Sequence, residues 1–247
     1  MNIKKHIPNF ITLLNLSMGI GSIYCSFQGT PEYLSYAGYM IFIAAIFDFF
    51  DGFAARLLNA KSDIGLQLDS LADMVSFGVA PGFVLYQMLV LSHGKPLDIV
   101  DGFNLFPMWA ILIPWGAALR LAKFNIDDTQ RMGFKGMPTP ALAFFVASLP
   151  IIRETLYDDR GMLYMIFTNS YFLAATAIAG FFLMTSKFPM FALKFRNYKW
   201  RGNEFRYSFI ILSFITLLLL QVVAIPFIIA LYLFMSLIIY LSDMQYE

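Results

Sequence analysis

Residues 44–80 decide the fold, and they read AAIFDFFDGFAARLLNAKSDIGLQLDSLADMVSFGVA. Apolar runs at both ends of this segment flank a short, more polar stretch at about residues 58–64. A connection this short predicts that the flanking runs form an antiparallel pair of helices, which occupies residues 33–92. The acidic side chains of the segment lie near the two helix ends that the connection joins.

The composition of the chain indicates a membrane protein with several transmembrane helices. Of its 247 residues, 59% are hydrophobic and 13% are charged, and the mean hydropathy is +0.68. Soluble proteins average about 25% charged residues, so this chain has too little polar surface for water. The net charge of +1 excludes the broad basic face of a nucleic-acid-binding protein. One cysteine, Cys25, excludes an internal disulfide, and His6 and His93 are too isolated to build a zinc site.

The hydropathy pattern predicts an all-α bundle of about eight transmembrane helices, each of which needs about 20 apolar residues. The first span is interpreted as an uncleaved helix, because no small-residue cleavage site follows it. No soluble domain interrupts the series, so residues 1–247 are predicted to form a single integral membrane domain. Gln221 and Pro226 divide the last apolar stretch by a turn. The predicted spans are residues 9–27, 33–57, 66–91, 105–124, 138–153, 162–184, 206–221 and 224–241.

The distribution of Lys and Arg predicts the orientation of the bundle. Only three of the 17 basic residues, Lys95, Arg153 and Arg160, fall on one side of the predicted membrane. Because cytoplasmic loops are enriched in Lys and Arg, the opposite side is expected to face the cytoplasm. Eight spans place both termini on that side. The chain is therefore expected to be a multi-pass protein of the cell membrane, with its acidic helix ends at the cytoplasmic face.

Four aspartates of the helix pair are predicted to meet at one site. Asp48 and Asp51 lie three residues apart on the second span, and Asp69 and Asp73 lie four residues apart on the third, so each pair shares a helical face. Any one of them alone could simply cap or flank a helix at the level of the lipid headgroups. Together they would repel one another unless cations neutralise them. Oxygen ligands without Cys or His favour Mg²⁺ or Mn²⁺, and two such ions would suit a diphosphate.

Small and basic residues beside these aspartates predict a nucleotide site. Gly52 and Ala55 continue the face of Asp48 with almost no side chain, which leaves room for a phosphate or nucleotide. Arg56 offers a forked guanidinium that suits a phosphoryl group. Two polar residues at the same end of the first span are expected either to face the nucleotide or to cap and pack the helix; they are Asn9 and Thr12.

The complete pattern resembles the signature of the CDP-alcohol phosphotransferases, membrane enzymes that displace CMP from a CDP-linked lipid. All eight signature positions are present, in the form Asp48-x2-Asp51-Gly52-x2-Ala55-Arg56-x8-Gly65-x3-Asp69-x3-Asp73. Within this family, the chain is most similar to the branch of bacterial phosphatidylserine synthases. The stretches that carry this closer similarity are residues 7–15, 69–81, 120–125 and 134–141.

The resemblance implies a reaction in which CDP-diacylglycerol and L-serine give phosphatidylserine and CMP. It also implies a homodimer and two divalent cations, Mg²⁺ or Mn²⁺. By similarity, the ligands of these cations are Asp48, Asp51, Asp69 and Asp73, with Asp73 also serving as general base. Residues that contact CDP in relatives correspond here to Gly52, Arg56 and Ser62.

Two alternatives to this reading stay open at the level of sequence. Within the family, the acceptor could instead be glycerol 3-phosphate, inositol phosphate or another alcohol. An ion or proton carrier is the alternative from a different class, because carriers also place acids inside membrane helices. Carriers tend to place these acids near the midplane, whereas here they lie at one predicted membrane face.

The acceptor site is predicted around the cytoplasmic loop 120–137. Serine carries a carboxylate and an ammonium, so its pocket needs a cation and hydrogen-bond acceptors beside the metal site. The hypothesis is that Arg120, Lys135 or both bind the serine carboxylate. The polar residues offered there could equally be ordinary positive-inside or headgroup residues; they are Arg120, Lys123, Asn125 and Lys135.

Overall fold

The computed structural model describes residues 6–60, 62–94, 99–100, 103–126, 134–190, 200 and 203–241. The chain is mostly helical, as predicted. The α-helices within these ranges are α1 (His6–Phe27), α2 (Pro31–Leu57), α3 (Asp63–Asp73), α4 (Ala80–Val90), α5 (Leu112–Ile126), α6 (Thr139–Thr155), α7 (Met162–Phe167), α8 (Ser170–Thr185), α9 (Glu204–Leu220) and α10 (Ala224–Leu241).

Shorter elements complete the described part of the chain. A π-helical segment, Met74–Val79, joins α3 to α4, so that residues 63–90 form one continuous helix. Turns of 3₁₀ helix precede α5 and α10, at Phe106–Ile111 and Gln221–Val223. Two antiparallel pairs of very short strands are present, β1 (Ile99–Val100) with β2 (Phe103–Asn104) and β3 (Phe134–Lys135) with β4 (Pro189–Met190).

Three helical stretches among the described residues are long and apolar enough to cross a membrane, namely His6–Phe27, Asp63–Val90 and Glu204–Leu241. The third is divided near its middle, where α9 ends and Gln221 adopts a positive φ of 49°. Phe209 on α9 packs against Tyr232 on α10, with ring centroids 5.9 Å apart, so the two helices fold back on each other. The predicted turn is confirmed, whereas the count of eight spans and the side of the termini stay predictions.

The prediction of one continuous helix over residues 162–184 is wrong. Helix α7 ends at Phe167, and α8 begins at Ser170. Between them, the Asn169 side chain accepts hydrogen bonds from the backbone N–H groups of Tyr171 and Phe172. Such an N-cap satisfies N–H groups that a helix start leaves unpaired, so it starts a new helix here.

Helix α1 packs along α2 and also contacts α3, the π-helical segment and α4. Thr30 caps the start of α2 by accepting a hydrogen bond from the Tyr33 N–H, and Pro31 occupies the first turn. The buried face of α1 has residues spaced three or four apart, as a helix packed along one side requires. Those residues are Pro8, Thr12, Asn15, Gly19, Ser22, Cys25 and Ser26.

Small residues allow the helices of the core to approach closely. Gly38 on α2 faces α6 so tightly that a Cβ atom there would overlap the backbone carbonyl oxygen of Ala147. Close to this contact, the Ser35 hydroxyl donates a hydrogen bond to the Pro150 carbonyl oxygen at 3.2 Å. Small residues at helix interfaces are typical of membrane bundles, where close packing takes over much of the role of hydrophobic burial.

Replacing Gly38 with alanine is expected to destabilise the protein, because α2 or α6 must shift to admit the new methyl group. Overpacking of this kind costs about 1–3 kcal/mol, and each kcal/mol lowers the melting temperature of a chain of this size by about 2–4 °C. The measurement is the melting temperature of the detergent-solubilised protein. Gly52→Ala on the same helix is the control, since no atom lies within 4 Å of its Cβ position. Equal melting temperatures for the two variants would contradict this packing.

Candidate functional site

The connection between α2 and α3 fixes how these two helices present their acidic ends. Helix α2 ends at Leu57 and α3 begins at Asp63, so few residues separate them. The Ser62 hydroxyl caps α3 by accepting a hydrogen bond from the Gly65 N–H at 3.1 Å. Ser62, predicted as a CDP contact, therefore also sets where α3 starts and how far apart the acids of the two helices lie.

Three of the predicted metal ligands form one compact cluster. Asp48 and Asp51 on α2 and Asp69 on α3 each offer a carboxylate oxygen, and these oxygens all lie within 4.8 Å of one another. Asp51 is only 5% exposed, and its Oδ2 has no hydrogen-bond partner among the described residues. A divalent cation would supply the partner that this oxygen lacks, and hard oxygen donors suit Mg²⁺ or Mn²⁺. The donor set therefore fits the predicted metal.

Asp73 lies beside this cluster, one helical turn beyond Asp69 at the end of α3. Its carboxyl group interacts with that of Asp48. On its other side, the Nδ2 of Asn15 lies 3.5 Å from Asp73 Oδ1. The structure therefore brings the four predicted aspartates together and distinguishes Asp73, which has a neutral amide from α1 as a neighbour.

A cleft of about 460 Å³ opens beside the cluster, between the first turns of α1, the end of α2 and the start of α3. Asp51 and Asp69 form part of its wall, so carboxylates and cleft share one space. The six residues predicted to contact CDP all line this cleft; they are Asn9, Thr12, Gly52, Ala55, Arg56 and Ser62.

Hydrogen bonds within α1 and α2 and a close approach between α1 and α3 stabilise the wall of this cleft. The Arg56 Nε donates to the Gly52 carbonyl oxygen at 3.0 Å, which tethers an otherwise exposed guanidinium over the end of α2. The Thr12 hydroxyl donates to the Pro8 carbonyl oxygen within α1. A Cβ at Gly65 would lie 3.0 Å from the Asn9 Oδ1, so the glycine lets α1 approach the first turn of α3.

The residues predicted for the acceptor site whose side chains are described differ in their surroundings. Arg120 is buried, donates from Nη1 to the Thr139 hydroxyl at 3.3 Å, and interacts electrostatically with Asp73 and with Tyr232. Its Nε has no hydrogen-bond partner among the described residues.

The other residues predicted for the acceptor site are placed differently. Lys123 is exposed, and its Nζ donates to the Thr185 carbonyl oxygen. Asn125 is also exposed and hydrogen-bonds to the Ser70 hydroxyl. The Lys135 side chain lies outside the described part of the protein. Of the acceptor residues whose side chains are described, only Arg120 is therefore buried and directed toward the acidic cluster.

Two residues near the cluster were not predicted from the sequence. Asn15 is fully buried on α1, and Tyr232 on α10 interacts electrostatically with Arg120. A polar residue within an apolar helix, four residues before Gly19 and three after Thr12, was a usable signal for Asn15. No sequence pattern pointed to Tyr232, because α10 is apolar throughout and its neighbours are set by tertiary packing.

Comparison with known proteins shows the family of the chain. A sequence profile described as CDP-alcohol phosphatidyltransferase matches residues 5–183. Three relatives bear the name CDP-diacylglycerol–serine O-phosphatidyltransferase: those of Mycobacterium leprae (35% identity), Bacillus subtilis (38%) and Helicobacter pylori strain 26695 (28%). The alignments cover 74%, 55% and 84% of this chain. They span 57%, 70% and 80% of the respective relatives. Because the profile matches residues 5–183 of its 247 residues, the chain belongs to the CDP-alcohol phosphatidyltransferase family.

Proposed function

We propose that this protein transfers the phosphatidyl group of CDP-diacylglycerol to the hydroxyl of L-serine, giving phosphatidylserine and CMP. The observation that carries the proposal is the convergence of Asp48, Asp51 and Asp69 beside the cleft between α1, α2 and α3. The relatives named for this reaction support serine as the acceptor. The eight-span topology, with both termini and the site on the cytoplasmic side, belongs to the proposal, as does the homodimer that the family implies.

The acidic cluster would hold two divalent cations, Mg²⁺ or Mn²⁺, through Asp48, Asp51, Asp69 and Asp73. Bound cations would neutralise the diphosphate and stabilise the attacking and leaving oxygens of the displacement. The cleft wall would hold the nucleotide, with Arg56 directed at its phosphates and open space above Gly52 for its approach. Ala55, Ser62, Asn9 and Thr12 would form the rest of this wall.

Asp73 would serve as the general base. The serine hydroxyl attacks the phosphorus that bears the diacylglycerol, and a new P–O bond forms. The bond to the CMP oxygen breaks, and CMP leaves with its electron pair. Asp73 accepts the proton of the serine hydroxyl, which is a poor nucleophile without a base. Its position, beside the cluster and next to the neutral Asn15, suits this second task.

Arg120 would bind the serine carboxylate. Its guanidinium is buried near Asp73 and keeps an unpaired Nε, so a carboxylate there would gain a charge-assisted hydrogen bond. Lys123 and Asn125 are exposed and hydrogen-bonded elsewhere, so they are weaker candidates. Of the residues with described side chains, Arg120 is therefore the one proposed to bind the serine carboxylate, and Lys135 is retained as the second proposed contact.

An acceptor screen tests the reaction itself. Purified protein with CDP-diacylglycerol and Mn²⁺ is supplied in turn with radiolabelled serine, glycerol 3-phosphate and inositol phosphate. We expect labelled lipid and CMP in equal amounts with serine, and little product with the others. Lipid product only with another alcohol would refute the assignment of serine, and no CMP release with any alcohol would refute the reaction class.

Replacing Asp48, Asp51 or Asp69 with asparagine is expected to abolish turnover, because each change removes one charge from the cation site while the shape is kept. The measurements are CMP release and the amount of folded protein in the membrane, which should not change. A chelator should inactivate the wild type, and added Mn²⁺ or Mg²⁺ should restore it. Asp158→Asn, an exposed carboxylate after α6, is the matched control. Full activity in excess chelator would rule out the role of the cations.

Replacing Arg120 with alanine is expected to raise the KM for serine at least about tenfold, as loss of a charge-assisted contact does, and to change the KM for CDP-diacylglycerol little. Serinol, which lacks the carboxylate, should be a poor acceptor for the wild type and nearly as poor for the variant. Arg153→Ala removes another arginine with an unpaired buried Nε and serves as control. If Arg120→Ala raises the KM for CDP-diacylglycerol and leaves the KM for serine unchanged, Arg120 binds a phosphate of the CDP-lipid instead of the serine carboxylate.

A further inference from the structure

Asn15 is a buried amide whose chemistry the proposed reaction leaves unexplained. Its side chain is fully buried, and its Nδ2 lies 3.5 Å from Asp73 Oδ1, at the long end of the hydrogen-bond range. Its own Oδ1 has no hydrogen-bond partner among the described residues. An unpaired buried oxygen costs about 1–3 kcal/mol. Packing alone would therefore favour an apolar residue of the same size at this position.

A second contact ties the same turn of α1 to the residues after Asp73. The Ser76 hydroxyl donates to the Asn15 carbonyl oxygen at 3.0 Å, and both residues are buried. Gly19, the next residue along this face of α1, permits the approach, because a Cβ there would lie 2.9 Å from the Ser76 Cα. Asn15 therefore contacts residues on both sides of the point where α3 ends.

The backbone at this point departs from regular α-helix. Asp73 is the last residue of α3, and the π-helical segment Met74–Val79 follows it directly. Single π-helical turns within α-helices are rare and are found frequently at functional sites. A carboxylate at such a junction gains from support by a neighbouring helix. Asn15 supplies that support from α1, and the Ser76 hydroxyl ties the π-helical segment to the same turn of α1.

We propose that Asn15 is a positioning residue, which orients the Asp73 carboxylate toward the acceptor hydroxyl. This inference rests on the proposed phosphatidyl transfer. A lysine or arginine at this place would pair with the charge of Asp73 and compete with the cations. The neutral amide donates one hydrogen bond and leaves that charge available for the proton. Catalytic hydrogen bonds are often long without substrate and shorten in the complex, which agrees with the distance of 3.5 Å.

Asn15→Leu tests the proposal, since leucine keeps the volume and removes the donor. We expect kcat for serine-dependent CMP release to fall at least about tenfold, which is part of the roughly 10²–10⁴-fold that a general base contributes. The KM values for serine and CDP-diacylglycerol should stay within about twofold of the wild type. The rise in melting temperature on adding Mn²⁺ should also be unchanged, which shows that the acidic cluster is intact.

Two further variants separate positioning from packing. Ser22→Ala, on the same buried face of α1 but two turns away, removes a buried hydroxyl that has no hydrogen-bond partner within the described ranges. It should leave kcat unchanged. Ser76→Ala should lower kcat by less than Asn15→Leu. Asn15 and Ser76 both contact the junction of α3 with the π-helical segment, so the two changes should not act independently. The fold-decrease in kcat of the double variant should therefore be smaller than the product of the fold-decreases of the two single variants.

Three outcomes would overturn the inference: an unchanged kcat in Asn15→Leu, a loss of the Mn²⁺ effect, or a parallel rise in the KM for CDP-diacylglycerol. The last two would make Asn15 a support of the cation site or of the fold. The activity of the wild type distinguishes failure of the Asn15 inference from failure of the proposed function. If it uses another alcohol in place of serine, the same comparison is made with that alcohol, and a selective fall in kcat still supports Asn15.

Discussion

The repulsion between carboxylates at the ends of two apolar helices is the constraint on which the rest of this structure depends. Like charges held close together away from water are strongly unfavourable unless opposite charge is present. Asp48, Asp51 and Asp69 nevertheless have oxygens within 4.8 Å of one another. The capped start of α3 and the short connection from α2 hold them there. A site built in this way is stable when cations occupy it, which agrees with a reaction on a diphosphate.

Helices α1, α5 and α6 support this arrangement of aspartates on α2 and α3. Helix α1 contacts both helices of the pair, forms one wall of the cleft and reaches Asp73 through Asn15. Close packing between α2 and α6, made possible by Gly38, holds the pair from the other side. Arg120 on α5 places a buried positive charge near Asp73 and is held by a hydrogen bond to Thr139.

The sequence predicted those parts of the site that lie on one helix or on two adjacent helices. Helical spacing placed Asp48 with Asp51 and Asp69 with Asp73, and the short connection brought the pairs together, because these relations are local. It did not predict the π-helical segment or the break at Asn169, which depend on hydrogen bonds that hydropathy does not encode. The sequence also did not distinguish Arg120 from Lys123 and Asn125. Their different burial is decided by packing of α5 against distant helices, to which neither residue type nor spacing is sensitive.

The acidic residues of α2 and α3 are proposed to form one centre for two divalent cations. Electron paramagnetic resonance of Mn²⁺ bound to the purified protein in the presence of CDP-diacylglycerol measures this directly. We expect two tightly bound ions per chain with a spectrum broadened by their mutual coupling, and loss of that coupling in Asp69→Asn. Binding of no Mn²⁺, or of isolated ions whose spectrum does not change when Asp69 is replaced, would contradict it.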